Sequence, residues 1–197
     1  MPWPSLATPS RIHLLLFVLR VDGLPSGLYL LPRTPAGAQE LMAALAPADE
    51  RFAQRRPVSD FDSDCPAHLG LVQLAELGLQ ELQRLARLLN CHQDIASTSA
   101  FSLGMLGEFA TATVDGHGYR ELLREAGLIG QVLYLEAEAA GVRGTGIGCF
   151  FDDPMHETFG LSGERYQSVY HFTIGTPVLD SRIETGPPYP QRHQENP

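Results

Sequence analysis

The longest regular pattern in the sequence is an apolar stripe of helical period between His117 and Ala140. Its members lie on one helical face: Tyr119, Leu122, Leu123, Ala126, Ile129, Leu133, Ala137 and Ala140. Asp115 precedes the stripe in the position of an N-terminal cap, and Gly141 follows it where a left-handed residue ends many helices. The pattern therefore predicts one long helix, the clearest element of the chain.

Two glycines, Gly127 and Gly130, lie inside this helix. A helical glycine costs about 1 kcal/mol relative to alanine, so each position needs a reason. One reason is the close approach of another backbone or of a flat ligand. Ordinary tight helix packing is the alternative, and the sequence leaves both open.

Short apolar segments bounded by turn residues predict the strands. Residues 12–21 and 28–31 form two such segments around a glycine- and proline-containing turn, which predicts a hairpin. Further strands are predicted over residues 101–113 and 166–175. Helical patterns cover residues 36–45 and 80–91, and a short helix is predicted to begin around Pro154.

The basic residues of the chain are all arginines. Of 197 residues, 14 are Lys or Arg, and none of these is a lysine. A P-loop lysine and a lysine Schiff base are therefore excluded. A bound phosphate or carboxylate has to be held by arginines, backbone N–H groups or hydroxyls. The formal net charge of -9 argues against a broad nucleic-acid surface.

The cysteines and the hydropathy pattern predict the compartment. Cys65, Cys91 and Cys149 are odd in number and widely spaced, which predicts reduced thiols in a cytoplasmic protein. The apolar run at residues 12–19 is too short to span a bilayer, and residues 1–11 lack the features of a secretory leader. We therefore expect a soluble protein with no membrane partner.

Patterns that suggest a metal ion are weak in this sequence. The acidic cluster at residues 60–64 lacks the glycine and the terminal glutamate of an EF-hand loop, so we interpret it as a solvated loop. Cys65-x-x-His68 and Cys91-His92 contain zinc-binding residue types, but no second C-x-x-C motif accompanies them. The sequence predicts no metal site.

Residues 141–153 form the segment whose pattern is the most informative about a possible binding site. Gly144, Gly146 and Gly148 alternate with Thr145 and Ile147, which leaves the backbone bare over a short stretch. Backbone N–H groups there can reach a flat ring or an anion. The segment follows a helix, so it is not a Rossmann fingerprint. The glycine pattern by itself is explained equally well by a glycine-rich turn that binds no ligand.

Together with four other segments, this one resembles the nitroreductase superfamily, in its azoline-oxidase (SagB-like dehydrogenase) branch. The other segments are residues 20–29, 89–96, 125–135 and 170–175. They follow one another in the family's order and spacing. The resemblance covers most of the chain from residue 11 to residue 190.

The resemblance implies an α+β fold, with a mixed, mostly antiparallel sheet flanked by helices and a long central helix. It implies a nitroreductase-like domain over residues 12–179, an irregular segment over residues 1–11 and a proline-rich tail over residues 180–197. It also implies a homodimer with FMN at the interface and ping-pong hydride transfer. NAD(P)H or an azoline-type peptide substrate would reduce the flavin.

The resemblance assigns roles to particular residues. Gly144, Thr145, Gly146, Ile147 and Gly148 would lie along the isoalloxazine ring and tune its N5 edge through their N–H groups. Arg182 is the candidate for the FMN phosphate, and His92 is a candidate for proton transfer. Four aromatic side chains would either wall the flavin or belong to the core: Tyr119, Tyr134, Phe150 and Phe151.

The sequence departs from the family at its beginning. Nitroreductase-like chains normally start with an arginine- and serine-containing segment that binds the FMN phosphate, and residues 1–11 lack it. The arginine pair at residues 55–56 is at the wrong position to replace it. Either a partner chain supplies the missing part, or the chain is a truncated or non-catalytic subunit that acts in binding or dimerisation.

Overall fold

The computed structural model describes residues 9–45, 55–184, 186 and 189. The strands are β1 (Ile12–Val18), β2 (Gly27–Leu31), β3 (Arg56–Pro57), β4 (Val72–Glu76), β5 (Phe101–Gly107), β6 (Arg143–Ile147) and β7 (Gln167–Gly175). The helices are α1 (Pro35–Ala44), α2 (Leu79–Leu89), α3 (Ile95–Thr98), α4 (Phe109–Ala112), α5 (Gly118–Ala139) and α6 (Asp152–Phe159). Most of the predicted segments at residues 1–11 and 180–197 lie outside the described residues.

The strands form one seven-stranded sheet in the order β3-β4-β2-β1-β5-β7-β6. Every pairing between these strands is antiparallel. Strand β1 lies at the centre, where Leu15 faces Leu30 of β2 on one side and Gly104 of β5 on the other. The predicted hairpin of β1 and β2 and the predicted α+β class are confirmed.

Helices cover both faces of the sheet, and successive residues of a strand point to opposite faces. On one face, Leu15 and Phe17 of β1 belong to a core that includes buried side chains of α1, α2 and α6. On the other face, Leu14 belongs to a core that includes the apolar side of α5. The sheet therefore separates two hydrophobic layers.

The predicted long helix is confirmed as α5. The Asp115 carboxylate accepts hydrogen bonds from the backbone N–H groups of His117 and Gly118, each at 2.8 Å. These two bonds lower the pKa of Asp115. At the other end, Gly141 has a φ of 74°, the left-handed conformation expected after a helix.

The strand predicted over residues 101–113 is too long. Strand β5 ends at Gly107, which lies opposite Ile12, the first residue of β1. The Glu108 N–H still bonds to the Arg11 carbonyl at 2.9 Å, but the chain then turns into helix α4. The strand ends because its partner strand begins there, a limit that the sequence of β5 alone does not contain.

The prediction that the cysteines are reduced thiols is wrong for two of the three. Cys91 and Cys149 form a disulfide, with a Cα–Cα distance of 5.7 Å, and Cys65 is a free thiol whose pKa is raised by burial. The two bonded residues are 58 positions apart. They meet because the end of α2 lies beside the chain that leaves β6, which their spacing in the sequence does not reveal.

None of the helices in the described part of the chain is both long enough and apolar enough to cross a bilayer.

Candidate functional site

The glycine-rich segment, which the sequence suggested to be a loop or turn, is the edge strand β6. Strand β6 pairs with β7 along one side, with Gly146 opposite Phe172. The Gly146 N–H donates to the Tyr134 hydroxyl of α5 at 2.8 Å and so points away from β7. Because N–H directions alternate in an antiparallel strand, the Gly144 N–H lies on the same outer edge. Because Tyr134 already accepts from Gly146, the Gly144 N–H is the backbone donor that the strand offers at the open side of the sheet.

The side-chain face of the same glycines is filled by aromatic rings of this chain. A Cβ on Gly144 would lie 2.7 Å from a ring carbon of Phe172, and a Cβ on Gly146 would lie 1.8 Å from the Tyr170 hydroxyl. Tyr134, Tyr170 and Phe172 stack edge to face, with centroid distances of 4.8 and 6.4 Å. Close packing within the chain therefore requires glycine at both positions, while Gly148 faces open space.

The two glycines of helix α5 differ in their surroundings. A Cβ on Gly130 would lie 3.0 Å from the Tyr170 ring, whereas nothing lies within 4 Å of a Cβ on Gly127. Tyr170 therefore fits between glycines of two elements, Gly130 on α5 and Gly146 on β6. Tight packing accounts for Gly130, and Gly127 leaves an open depression on the helix.

A cavity of about 380 Å³ with both polar and apolar lining lies along β6 and β7. Its lining includes the side chains of Thr98, Ser99, Arg143, Thr145 and Thr173. Thr145 points to the face of β6 opposite Gly144 and Gly146 because side chains alternate along a strand. Hydroxyls and arginine are the side-chain donors that a chain without lysine has for an anion. Thr98, Ser99 and Thr173 already donate to backbone carbonyls. The donors that the cavity places beside β6 are therefore Thr145 and Arg143.

The predicted phosphate ligand Arg182 lies in the exposed stretch after β7. Its guanidinium binds the Asp180 carboxylate through Nη2 at 2.6 Å and Nε at 2.9 Å. The hydrogen bonds from Arg182 lower the pKa of Asp180. Arg143, the first residue of β6, bonds to Glu138 at 2.6 Å. The role of Arg182 stays a prediction.

The structure brings the second candidate, His92, close to the exit of the glycine strand. His92 is exposed and its ring meets that of Phe151 edge to face, with the centroids 5.8 Å apart. The neighbouring Cys91 is bonded to Cys149, and Gln93 donates from Nε2 to the Cys149 carbonyl at 3.1 Å. Two segments that the sequence analysis treated separately, residues 91–93 and 148–151, therefore form one surface junction.

A buried polar network beneath this junction was missed by the sequence analysis. Asn90 donates from Nδ2 to the Ala86 carbonyl at 2.7 Å, so its amide oxygen faces Nδ1 of His171, also at 2.7 Å. Nδ1 of His171 therefore carries the proton, and Nε2 accepts from the Ser168 hydroxyl at 2.8 Å. Phe150 stacks on the imidazole, with the ring planes 6° apart.

The His171 ring is neutral at physiological pH. Its side chain is fully buried, and desolvation lowers its pKa from 6.5 to about 3. Ser168 and His171 face each other although they are three residues apart, because a bulge at Val169 shifts the register of β7 against β5. The sequence hint of this network was a histidine, His171, within an apolar strand. Neither the bulge nor the partner Asn90 could be recognised from the sequence.

A larger and mainly apolar groove of about 900 Å³ lies elsewhere on the molecule. Its walls come from β1, β2, α1, the segment around Leu69 and helix α5. Arg33 lies at its rim together with Ser10 and Thr34. Its size and apolar lining suit a polypeptide segment or an apolar ligand.

Comparison with family models and with curated protein sequences gives no match. Solved structures do share the fold. A protein described as a nitroreductase from Anabaena variabilis has a TM-score of 0.59 at 20% identity, with 85% of this chain and 27% of that chain covered. The E. coli microcin synthetase McbBCD complex with truncated pro-MccB17 bound has a TM-score of 0.57 at 18% identity, with coverages of 88% and 56%. This chain thus spans less than two thirds of either one.

Both similarities extend over most of this chain. They include its antiparallel sheet, the helices on the two faces and the long helix α5. The resemblance inferred from the sequence motifs is therefore confirmed at the level of the fold: this chain has the nitroreductase-like α+β fold.

Proposed function

We propose that the chain is an FMN-dependent oxidoreductase of the nitroreductase type that transfers hydride by a ping-pong mechanism. The observation that carries the proposal is the glycine strand β6, whose Gly144 N–H lies at the outer edge of the sheet beside a cavity that Thr145 and Arg143 help to line. A flat ring would approach this edge from outside the sheet, because Phe172 and Tyr170 fill the side-chain face of Gly144 and Gly146. The similarity of the fold to nitroreductases supports the same conclusion.

The residues fit the ring of FMN better than its phosphate. Along β6, the Gly144 amide is a backbone donor that would stabilise negative charge on a bound ring. Tyr134 holds the Gly146 amide and so fixes the position of the strand. For the phosphate, Arg143 and Arg182 each already bind a carboxylate of this chain. A phosphate therefore has to compete with Glu138 or Asp180 unless a partner chain supplies another cation.

Bound FMN would supply the acceptance and release of hydride, and the protein would position and tune it. NAD(P)H or an azoline-type peptide is the proposed electron donor. His92, exposed beside the exit of β6, is the proposed group for proton transfer. His171 is buried and neutral, so it positions Asn90, Ser168 and Phe150 without exchanging protons with a substrate.

Flavin titration of the purified chain tests this function. We expect FMN fluorescence to be quenched on binding, and bound flavin to be bleached when NAD(P)H is added. Thr145→Val and Arg143→Gln should weaken binding, because each removes a donor from the cavity beside β6. Arg84→Gln, on the exposed part of α2, is the matched control for the loss of one positive charge. A folded chain that leaves FMN fluorescence unchanged would refute the proposal.

A second candidate is a subunit that binds a partner chain and has no activity of its own. The apolar groove favours it. Flavin binding that appears only after a complementing nitroreductase-like chain is added would support this candidate. We also propose a cytoplasmic location, now without the support of three reduced thiols because Cys91 and Cys149 form a disulfide, and fractionation of the expressing cells tests it.

A further inference from the structure

The Cys91–Cys149 disulfide ties the end of helix α2 to the chain that leaves strand β6. Cys149 is exposed and Cys91 is partly exposed. The bond therefore lies at the surface, where a dithiol in solution can attack it. Disulfides that thiols reach easily are more often regulatory than structural.

Weaker contacts hold the same two segments together. The Phe151 N–H donates to the Leu89 carbonyl at 2.9 Å, and Gln93 donates to the Cys149 carbonyl at 3.1 Å. On the inner side, Phe150 lies flat on His171 with a centroid distance of 4.2 Å. The disulfide is the covalent link between the two segments, whereas the hydrogen bonds and the ring contact can break and re-form.

The backbone beside the disulfide is held in an unfavourable conformation. Cys91 and His92 have φ values of 53° and 59°, so two consecutive residues with side chains are left-handed. Such residues persist only where surrounding contacts fix them, and they are common in switch segments. Loss of the disulfide removes one of these constraints from Cys91 itself.

Phe150 lies between the imidazole of His171, on which it stacks, and a surface cavity. The cavity measures about 390 Å³ and is lined by Phe150 and Ser168, among others. Ser168 is also the hydroxyl that bonds to His171. Movement of Phe150 would therefore open a path from the cavity to the imidazole of His171.

We propose that Cys91 and Cys149 form a reversible thiol–disulfide switch that keeps residues 148–151 closed over His171 when oxidised and releases them when reduced. A thiolate of a dithiol reductant attacks one sulfur, breaks the S–S bond and forms a mixed disulfide. The second thiol of the reductant then attacks the mixed disulfide and releases the protein cysteine as a thiol. The reductant becomes a disulfide and gives two electrons and two protons to the cysteines, and a disulfide oxidant such as oxidised glutathione reverses the exchange.

Thiol counting tests the reversibility. Cys65→Ser removes the remaining thiol, so alkylation in denaturant followed by mass measurement should find no free thiol in the oxidised variant and two after reduction. We expect dithiothreitol to reduce the pair in buffer while the circular dichroism stays unchanged, and oxidised glutathione to restore the bond. The proposal would be overturned if Cys91 and Cys149 were both free thiols after purification without reductant. It would also be overturned if the disulfide resisted reduction until the protein unfolds.

Hydrogen exchange tests the release of the segment. The Phe151 amide is a direct probe because it donates to Leu89. We expect its exchange to become at least about tenfold faster on reduction, with exchange in β1 and β5 unchanged. The variant with both Cys91→Ser and Cys149→Ser should exchange like the reduced protein under all conditions. Equal rates in both redox states would refute the switch, and neither result depends on flavin binding.

Discussion

At the scale of single residues, His171 shows how burial decides the charge of a side chain. Desolvation lowers its pKa to about 3, while the unfolded chain binds a proton near the ordinary value of 6.5. Between these two values the unfolded state binds more protons than the folded state. A fall in pH through this window therefore favours unfolding. The free energy of unfolding reaches its full value, as far as His171 is concerned, only above pH 6.5.

We expect the free energy of unfolding to fall by up to about 1.4 kcal/mol per pH unit as the pH decreases from 6.5 towards 3. Urea titrations at several pH values measure this slope. His171→Gln should flatten it, because glutamine has no proton to gain. Some slope remains, since burial also lowers the pKa of His156. Identical slopes in the two proteins would contradict the assignment to His171.

The glycines of β6 provide a second test at this scale. A Cβ on Gly146 would overlap the Tyr170 hydroxyl, so Gly146→Ala should destabilise the protein by about 1–3 kcal/mol. Gly148→Ala, where nothing lies nearby, is the matched control and should have little effect. Adding Tyr170→Phe to Gly146→Ala should restore part of the loss. Urea denaturation checks all three, and a double variant no better than the single one would argue against this clash.

At the scale of elements, helix α5 is fixed to the sheet by a buried charge cluster. Glu125, in the middle of α5, pairs with Arg33, which follows β2, and also accepts a hydrogen bond from the Arg11 N–H at 2.9 Å. The Glu125 side chain is 6% exposed and that of Arg33 is 16% exposed. Removing one partner from such a pair leaves a charge buried without compensation.

Arg33→Met should therefore destabilise the protein by about 3–5 kcal/mol. The matched control is Arg124→Met, which breaks the exposed pair with Glu121 and should cost at most about 1 kcal/mol. Combining Arg33→Met with Glu125→Leu should recover part of the stability, because both charges are then absent. Thermal and urea unfolding compare the variants. Equal losses for Arg33→Met and Arg124→Met would show that burial of the pair has no energetic importance.

The elements also show what the sequence was able to predict. The long helix and the hairpin could be predicted because their signals, an apolar stripe and a turn between two apolar runs, are local. The end of β5 and the edge position of β6 could not, because they depend on which strands lie alongside. The same holds in the candidate site for the Cys91–Cys149 bond and for the partners of His171, since a bulge and distant segments bring them together.

At the scale of the whole molecule, α5 has an exposed apolar surface on the side away from the sheet. Tyr119, Leu123 and Leu135 are 49%, 44% and 60% exposed, and the open depression at Gly127 lies among them. A second copy of the chain can cover this surface, in keeping with the homodimer that the resemblance implies. Gly127 would then allow a side chain of the second copy to approach the helix closely.

We expect light scattering to give about twice the chain mass of 21.5 kDa. Leu135→Asp should reduce the mass to that of a monomer without changing the circular dichroism. Glu136→Gln, on the same helix, is the control for a change in surface charge. A monomeric parent chain, or a Leu135→Asp variant that remains dimeric, would count against this surface.

The two edge strands of the sheet, β3 and β6, also differ in what limits the pairing of a further strand with them. Strand β3 has two residues, and one of them, Pro57, lacks the N–H group that a neighbouring strand would need. Strand β6 is longer, carries small side chains and has a single charged residue, Arg143, along its length. Growth of the sheet by another strand is therefore disfavoured at β3 by Pro57 and at β6 by the Tyr134 hydroxyl, which occupies the outer N–H of Gly146. A chain that extends the sheet at β6 would pair through the Gly144 N–H and would have to displace Tyr134 to go further along the strand.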